Sequence, residues 1–380
     1  MTDSPRPSNV EHPLALGSFR VWIQLLARSG GIDRAYMRRA LFVTLSTLLT
    51  SPLRVWECVR YAGVVNRTHV HPAPIFILGH WRSGTTHLHN LLCQDRRFGF
   101  LTTFQAMAPG FCLTGDGMIK RLLARAAAAR HPTRVIDNIP LVLDAPQEDE
   151  FALCNLSEVS FLHAFTLPRK AREIFEESVL LDDVHPKRLA QRLRSYEMIL
   201  RKATLKAGGR RLVLKNCAST AHIETLLELF PEARFIHIYR NPYNVFLSTL
   251  HLYRTTIPLS QIQAISDEEI EAYVLEFYDR LMHAYLADRA KIPTGHHVEV
   301  RFEDLEAAPL EEVKRIYDTL QLPGFTEAEA GFRAYIDSVS GYKKNSYELS
   351  ADVIEKVNHY WAFAFDQWGY ERIEPPPESG

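Results

Sequence analysis

The chain has 380 residues, 46% of them hydrophobic and 23% charged, ordinary values for a globular protein with a sizeable core. Lys and Arg number 44 against 45 Asp and Glu, a net charge of -1, which excludes a protein that holds nucleic acid through a global basic field. The N-terminus is polar, no run of about 18 apolar residues occurs, and the cysteines lack zinc-knuckle or redox-pair spacing. These features predict a cytoplasmic protein with buried free thiols.

Residues 1–15 read as a loose tail. Beyond them Leu41, Phe42, Leu45, Leu48, Leu49, Leu53 and Trp56 keep helical spacing, flanked by Arg38, Arg39, Arg54 and Arg60. This 38–60 helix is read as packed on the core; the alternative is a helix lying on a membrane surface, giving peripheral membrane contact. The organisation expected is a helical segment over 1–70 followed by an α/β domain over 71–380. Ile75–Leu78 reads as a buried strand, and Gly79-His-Trp-Arg-Ser-Gly-Thr-Thr86 as a loop opening a helix from Thr85 to Cys93.

Residues 100–208 lack β-like alternation and read as a helical insertion. It carries basic helices at Lys120–Arg130 and at about Lys187–Lys206, the second stopped by Gly208-Gly209. Their basic faces are read as solvated surface. Phe104, Phe111, Phe161 and Phe165 are read as core, with the lining of an apolar pocket as the alternative. Strands at Leu212–Leu214, Phe235–Tyr239 and His297–Phe302 then alternate with helices at Ala221–Phe230, from Pro242 and from Pro309. The class implied is α/β, with a central, mainly parallel sheet, helices on both faces and a P-loop-like nucleotide-binding core.

The loop carries the chemistry. Two glycines four residues apart, followed by hydroxyl residues, have the spacing of a phosphate-binding loop, which normally ends in Gly-Lys-Ser/Thr. Here Thr85 stands where that lysine belongs, and Arg82 sits inside the loop. The cradle of backbone N–H groups is retained without the cation that serves a nucleoside triphosphate. An anionic group unlike a γ-phosphate fits it, which points to sulfuryl transfer. The later strands run into Lys215-Asn216 and Arg240-Asn241, so Arg82, Lys215 and Arg240 should converge on one rim of the sheet. A sulfuryl group in transit carries about one negative charge against about two for a phosphoryl group, so fixed cations and N–H donors can stabilise it without a metal. Glu303-Asp304 is read as capping and pairing with the following chain.

Arg82-Ser-Gly-Thr-Thr86, followed far downstream by Phe230-Pro-Glu-Ala-Arg-Phe-Ile-His-Ile-Tyr-Arg-Asn-Pro-Tyr-Asn-Val-Phe-Leu-Ser248, resembles the sulfotransferases that use 3′-phosphoadenosine 5′-phosphosulfate (PAPS). The likeness covers about residues 70–95 and 210–250, and weakly Val298–Leu305. By that resemblance Arg82, Ser83, Gly84, Thr85 and Thr86 bind the 5′-phosphosulfate, while Arg240 and Ser248 bind the 3′-phosphate. Lys215 should lie near the bridging oxygen. Lys344, in the basic turn Tyr342–Ser346, is a further candidate for the 3′-phosphate. The chain departs from the soluble small-molecule type in two places. Arg82 stands where that type has Lys, and Cys217 occupies its histidine position.

A base must then come from elsewhere to deprotonate the hydroxyl-bearing acceptor. Glu148, in Pro146-Gln-Glu-Asp-Glu150, is chosen, with Glu150 and His80 as alternatives; a glutamate serves as base in tyrosylprotein-type relatives. A solvated acidic turn is the competing reading of that run. The acceptor itself is open among carbohydrate, lipid, small alcohol or phenol, and peptide tyrosine. A P-loop kinase or NTPase relative, or a non-catalytic nucleotide-binding module, remains the alternative function.

Overall fold

The computed structural model describes residues 12–130, 142–341 and 348–375. In chain order it begins with helices α1 (Phe19–Arg28), α2 (Met37–Leu49) and α3 (Ser51–Arg67), then strand β1 (Ile75–Leu78) and helix α4 (Thr85–Leu92). Strand β2 (Phe98–Gly99) precedes helices α5 (Thr103–Met107), α6 (Met118–Arg130) and α7 (Glu150–Cys154). The long helix Pro186–Lys206 leads to β3 (Arg211–Lys215), and β4 (Arg234–Tyr239) and β5 (His297–Arg301) follow with helices between.

The five strands are ordered β2-β3-β1-β4-β5. Each resolved pairing is parallel: Ile75 lies opposite Arg234, Phe98 opposite Arg211, and Phe235 opposite His297. All four residues of β1 are buried, as are the middle four of β4. A parallel sheet covered on both faces demands such unbroken apolar runs. The short β2 has no alternation to announce it and was not expected from sequence.

The chain divides into two compact units built from interleaved segments. One takes the chain up to Pro74, Arg97–Leu214 and Tyr253–Ile265; the other takes Ile75–Arg96, Lys215–Leu252 and the chain from Ser266. In the first unit Trp22, Leu25, Ala40, Val43 and Ile262 share one apolar cluster, and Phe104, Phe111 and Cys112 another. Phe104, Phe111 and Phe161 are fully buried core residues; Phe165 is partly exposed.

Several expectations need correction. The single 38–60 helix is two helices, separated at Thr50, because Pro52 lacks the N–H that would continue the first ladder and suits the opening turn of α3. Its large apolar stripe is not core: Leu41, Leu45, Leu48, Leu49 and Trp56 are exposed. The smaller residues Ala40, Val43 and Thr47 face inward instead, and Thr44 Oγ1 accepts a hydrogen bond from the Trp22 indole at 2.8 Å.

The basic helix Pro186–Lys206 is not solvated throughout. Arg192 and Lys202 are buried, and Lys202 Nζ pairs with the buried Glu57 at 2.5 Å. A buried ammonium needs such a partner to offset its lost hydration. The thiols are all free, but Cys58 is exposed. No helix among the described residues is long and apolar enough to cross a membrane.

Candidate active site

The loop after β1 is shaped by backbone that only glycine tolerates. Gly79 has φ +137°, and a Cβ there would lie 2.3 Å from the Ile238 carbonyl oxygen of β4. Its N–H donates to Thr220 Oγ1 at 2.8 Å, tying the loop to the turn after β3. Gly84, at φ +97°, caps α4, and a Cβ there would fall 2.2 Å from the Phe302 ring. Between them Arg82 takes φ +70°. A left-handed backbone is uncommon for a residue with a side chain and collects at functional sites. The loop then opens into the eight-residue α4, whose N-terminal end favours an anion.

Three residues predicted to bind the donor meet here. Arg82 Nε donates to Ser248 Oγ at 2.8 Å, although 166 positions separate them in sequence. Arg240 Nη1 donates to the Arg82 carbonyl at 3.3 Å. The Arg240 guanidinium also lies over the Phe302 ring, 4.4 Å from its centre. Phe302 thus limits the loop at Gly84 and supports the Arg240 cation by its π face. Its part was not read from the sequence, since only the fold brings the end of β5 beside the loop.

Lys215 ends β3 and is nearly buried. Ser83 and Thr85 are buried, and Thr86 is partly exposed. Thr85 Oγ1 lies 3.7 Å from Cys217 Sγ, so the thiol that replaces the histidine touches the loop. Glu303 does not cap its own helix: it accepts the Asn241 N–H at 3.1 Å and the Tyr370 hydroxyl at 2.7 Å, tying down the chain before Pro242 and the C-terminal segment. Lys344 lies outside the described residues.

His80 is buried in the same loop. Its Nδ1 lies 2.8 Å from the Trp81 carbonyl, which can only accept, so Nδ1 carries the proton and Nε2 keeps its lone pair. Nε2 has no hydrogen-bond partner among the described residues. Aromatic edges of Trp81 and Tyr278 pack on the ring at 5.4 and 4.9 Å. Burial lowers its pKa to about 3, which keeps it neutral at physiological pH.

The acidic run belongs to the other unit, and it is no solvated turn. Glu148, Asp149 and Glu150 are 5%, 0% and 0% exposed. Asp149 Oδ2 accepts the Tyr196 hydroxyl at 2.9 Å. Glu150 Oε1 accepts the Ser160 hydroxyl at 2.5 Å and the Phe161 N–H at 2.9 Å. Burial and then Asp149 push the Tyr196 pKa well up. Burial lowers that of Arg192, opposed by the charges of Glu150, Tyr196 and Asp149. Sequence reasoning missed the Tyr196 and Arg192 partners. Their i, i+4 spacing on the inward face of Pro186–Lys206 was the available signal.

Residues 74–327 match the Sulfotransferase family. The chain is 30% identical over 367 residues to omega-hydroxy-beta-dihydromenaquinone-9 sulfotransferase Stf3 of Mycobacterium bovis and of Mycobacterium tuberculosis, covering 96% of this chain and 93% of each relative. Among solved structures, sulfotransferase STF9 from Mycobacterium avium aligns with a TM-score of 0.68 at 21% identity, covering 95% of this chain and 98% of that one. Sulfotransferase STF1 from Mycobacterium tuberculosis aligns with a TM-score of 0.67 at 20% identity, covering 91% and 92%. These two likenesses concern the fold. With the glycine loop, its lysine-free end and the Arg240–Ser248 segment held together beside a parallel sheet, the match to the family model and to Stf3 gives the conclusion that this chain belongs to the sulfotransferase family.

Proposed function

We propose that this sulfotransferase takes its sulfuryl group from PAPS and transfers it to a hydroxyl of a lipid-like acceptor by metal-free in-line displacement. The observation that carries the donor assignment is the hydrogen bond from Arg82 to Ser248 together with that from Arg240 to the Arg82 backbone. It joins the residues assigned to the two ends of one nucleotide that is anionic at both ends. Such a ligand supplies a sulfuryl group on a phosphate leaving group, and the chain's own residues hold and neutralise it.

Arg82 with Ser83, Gly84, Thr85 and Thr86 would hold the 5′-phosphosulfate through guanidinium, hydroxyl and backbone N–H donors. Arg240 and Ser248 would hold the 3′-phosphate, with Lys344 as a further contact; the planar fork of Arg suits a phosphate. Lys215 would neutralise charge on the departing phosphate. Glu148 would take the acceptor's proton. The hydrogen bonds of Glu150 to Ser160 and Phe161 favour a structural role for that residue, and the low basicity of His80 counts against it as base. A hydroxylated lipid is favoured as acceptor because Stf3, similar across nearly the whole chain, is named for omega-hydroxy-beta-dihydromenaquinone-9.

The donor reading is tested by thermal stabilisation. Adenosine 3′,5′-bisphosphate at about 100 times its Kd should stabilise the fold by about 2.7 kcal/mol, and Mg-ATP at the same concentration by far less. Equal stabilisation by Mg-ATP would favour a nucleotide triphosphate site. Transfer of labelled sulfate from PAPS to long-chain alcohols, compared with sugars, phenols and tyrosyl peptides, tests the acceptor class.

A further inference from the structure

We propose that the solvent-facing side of α2 and α3 is a docking surface for an anionic lipid bilayer. The surface chemistry behind it is independent of the donor and acceptor assignments.

The apolar residues of α2 fall on two sides. Ala40 and Val43 join the cluster of Trp22 and Leu25, whereas Leu41, Leu45, Leu48 and Leu49 lie on solvent. The exposed positions recur three and four apart, so they form one stripe. In α3, Val55, Trp56 and Val59 are likewise exposed, the first two lying four and three positions before Val59. Leu49 and Val59, 77% and 78% exposed, are the extremes. Isolated exposed leucines need no explanation, but rows of exposed large apolar side chains on each of two consecutive helices do.

The charges on the same helices identify the occupant. Arg38, Arg60 and Arg67 are exposed. The sole carboxylate between residues 34 and 67 is Glu57, which is buried, paired with Lys202, and accepts the N–H groups of Leu113 and Thr114. The exposed face therefore combines apolar side chains and arginines with no negative charge. That composition suits insertion among acyl chains beneath anionic headgroups, with Trp56 at the boundary. A second copy offers the wrong charge, since a symmetric contact would set arginines against arginines.

Helix α6 repeats the pattern in the same unit. Ile119 and Leu123 pack on the cluster that includes Leu53 of α3, while Met118 and Leu122 are exposed beside Arg121 and Arg125. No described helix can span a bilayer, so the attachment is peripheral.

Co-sedimentation of the full chain with phosphatidylcholine vesicles, with and without phosphatidylglycerol, tests this surface. Binding should require the anionic lipid. The double variant Leu49→Glu/Val59→Glu should weaken binding at least about tenfold with an unchanged Tm, because both side chains are already in water. A second variant, Arg38→Ala/Arg60→Ala, should weaken it by about tenfold or more, since each arginine at an anionic surface is worth about 1 kcal/mol. No binding to anionic vesicles would overturn the proposal, as would binding that neither variant changes. Sedimentation velocity supplies the remaining outcome: a dimer of the wild type that Leu49→Glu/Val59→Glu dissociates would assign this face to a second copy instead.

Discussion

The glycine loop and the acidic run at residues 148–150 reach a defined geometry by opposite means. At the loop the constraint is in the backbone: Gly79, Arg82 and Gly84 all take positive φ, and the Thr220 hydroxyl anchors the Gly79 N–H. In the acidic run the constraint is in the partners. Asp149 is fixed by Tyr196, and Glu150 by Ser160 and Phe161. A backbone cradle tolerates many side chains but not an added Cβ. A buried carboxylate tolerates its backbone but not the loss of a donor, because an unpaired buried polar group costs its full desolvation.

That contrast is sharpened first by Glu148→Gln and Glu150→Gln. The Glu148 variant should lose on the order of 10²–10⁴ in kcat, the usual worth of a general base, with little change in Tm. The Glu150 variant should lower Tm, by about 1–3 kcal/mol of stability, while folded enzyme retains its turnover. Reversed outcomes in single-turnover assays and melting curves would exchange the two roles.

Next in size, Gly84→Val attacks the cradle. Strain at φ +97° and collision with the Phe302 ring should together cost about 2–5 kcal/mol, read as a fall in Tm and loss of bisphosphate binding. A variant with wild-type Tm would show that the loop is held by other means. Arg240→Ala leaves the cradle intact and removes one cation. It should weaken adenosine 3′,5′-bisphosphate by about 10–100-fold in calorimetry, and Ser248→Ala by less.

The last effect is spread over pH. Burial depresses the folded pKa of His80 to about 3, below its ordinary 6.5, so between those values the unfolded chain binds the extra proton. The stability held in this residue is complete above pH 6.5 and is lost as pH falls toward 3, with a slope of at most about 1.4 kcal/mol per pH unit. His80→Gln should flatten the acid limb of stability against pH by that amount. His12, His163 and His297, also depressed by burial, keep the rest of the slope. An unchanged acid limb would mean that His80 is protonated in the folded protein.

Much of the loop was legible because its signals are local. The strand Ile75–Leu78, the glycine spacing, the start of α4 and the strand-end positions of Lys215 and Arg240 follow from short-range backbone preferences and apolar runs. That Arg82 and Ser248 serve one nucleotide was implied by a family likeness rather than by spacing, and the direct hydrogen bond between them was not foreseen. The support from Phe302 was not legible at all, since 218 positions separate it from Gly84 in sequence. The acidic run was seen as a cluster, but its burial depended on which face of Pro186–Lys206 turned toward it.

By itself the sequence determined the parallel α/β order, the lysine-free loop and the identities of the cations at the strand ends. Each of these depends on interactions a few residues long, which operate before any distant segment arrives. Tertiary structure decided which faces were covered: it buried Glu148–Glu150 and Lys202, and left Leu41, Leu49 and Trp56 in water. An amphipathic pattern fixes that a helix has an apolar side, whereas whether protein covers that side depends on the shape of everything packed around it.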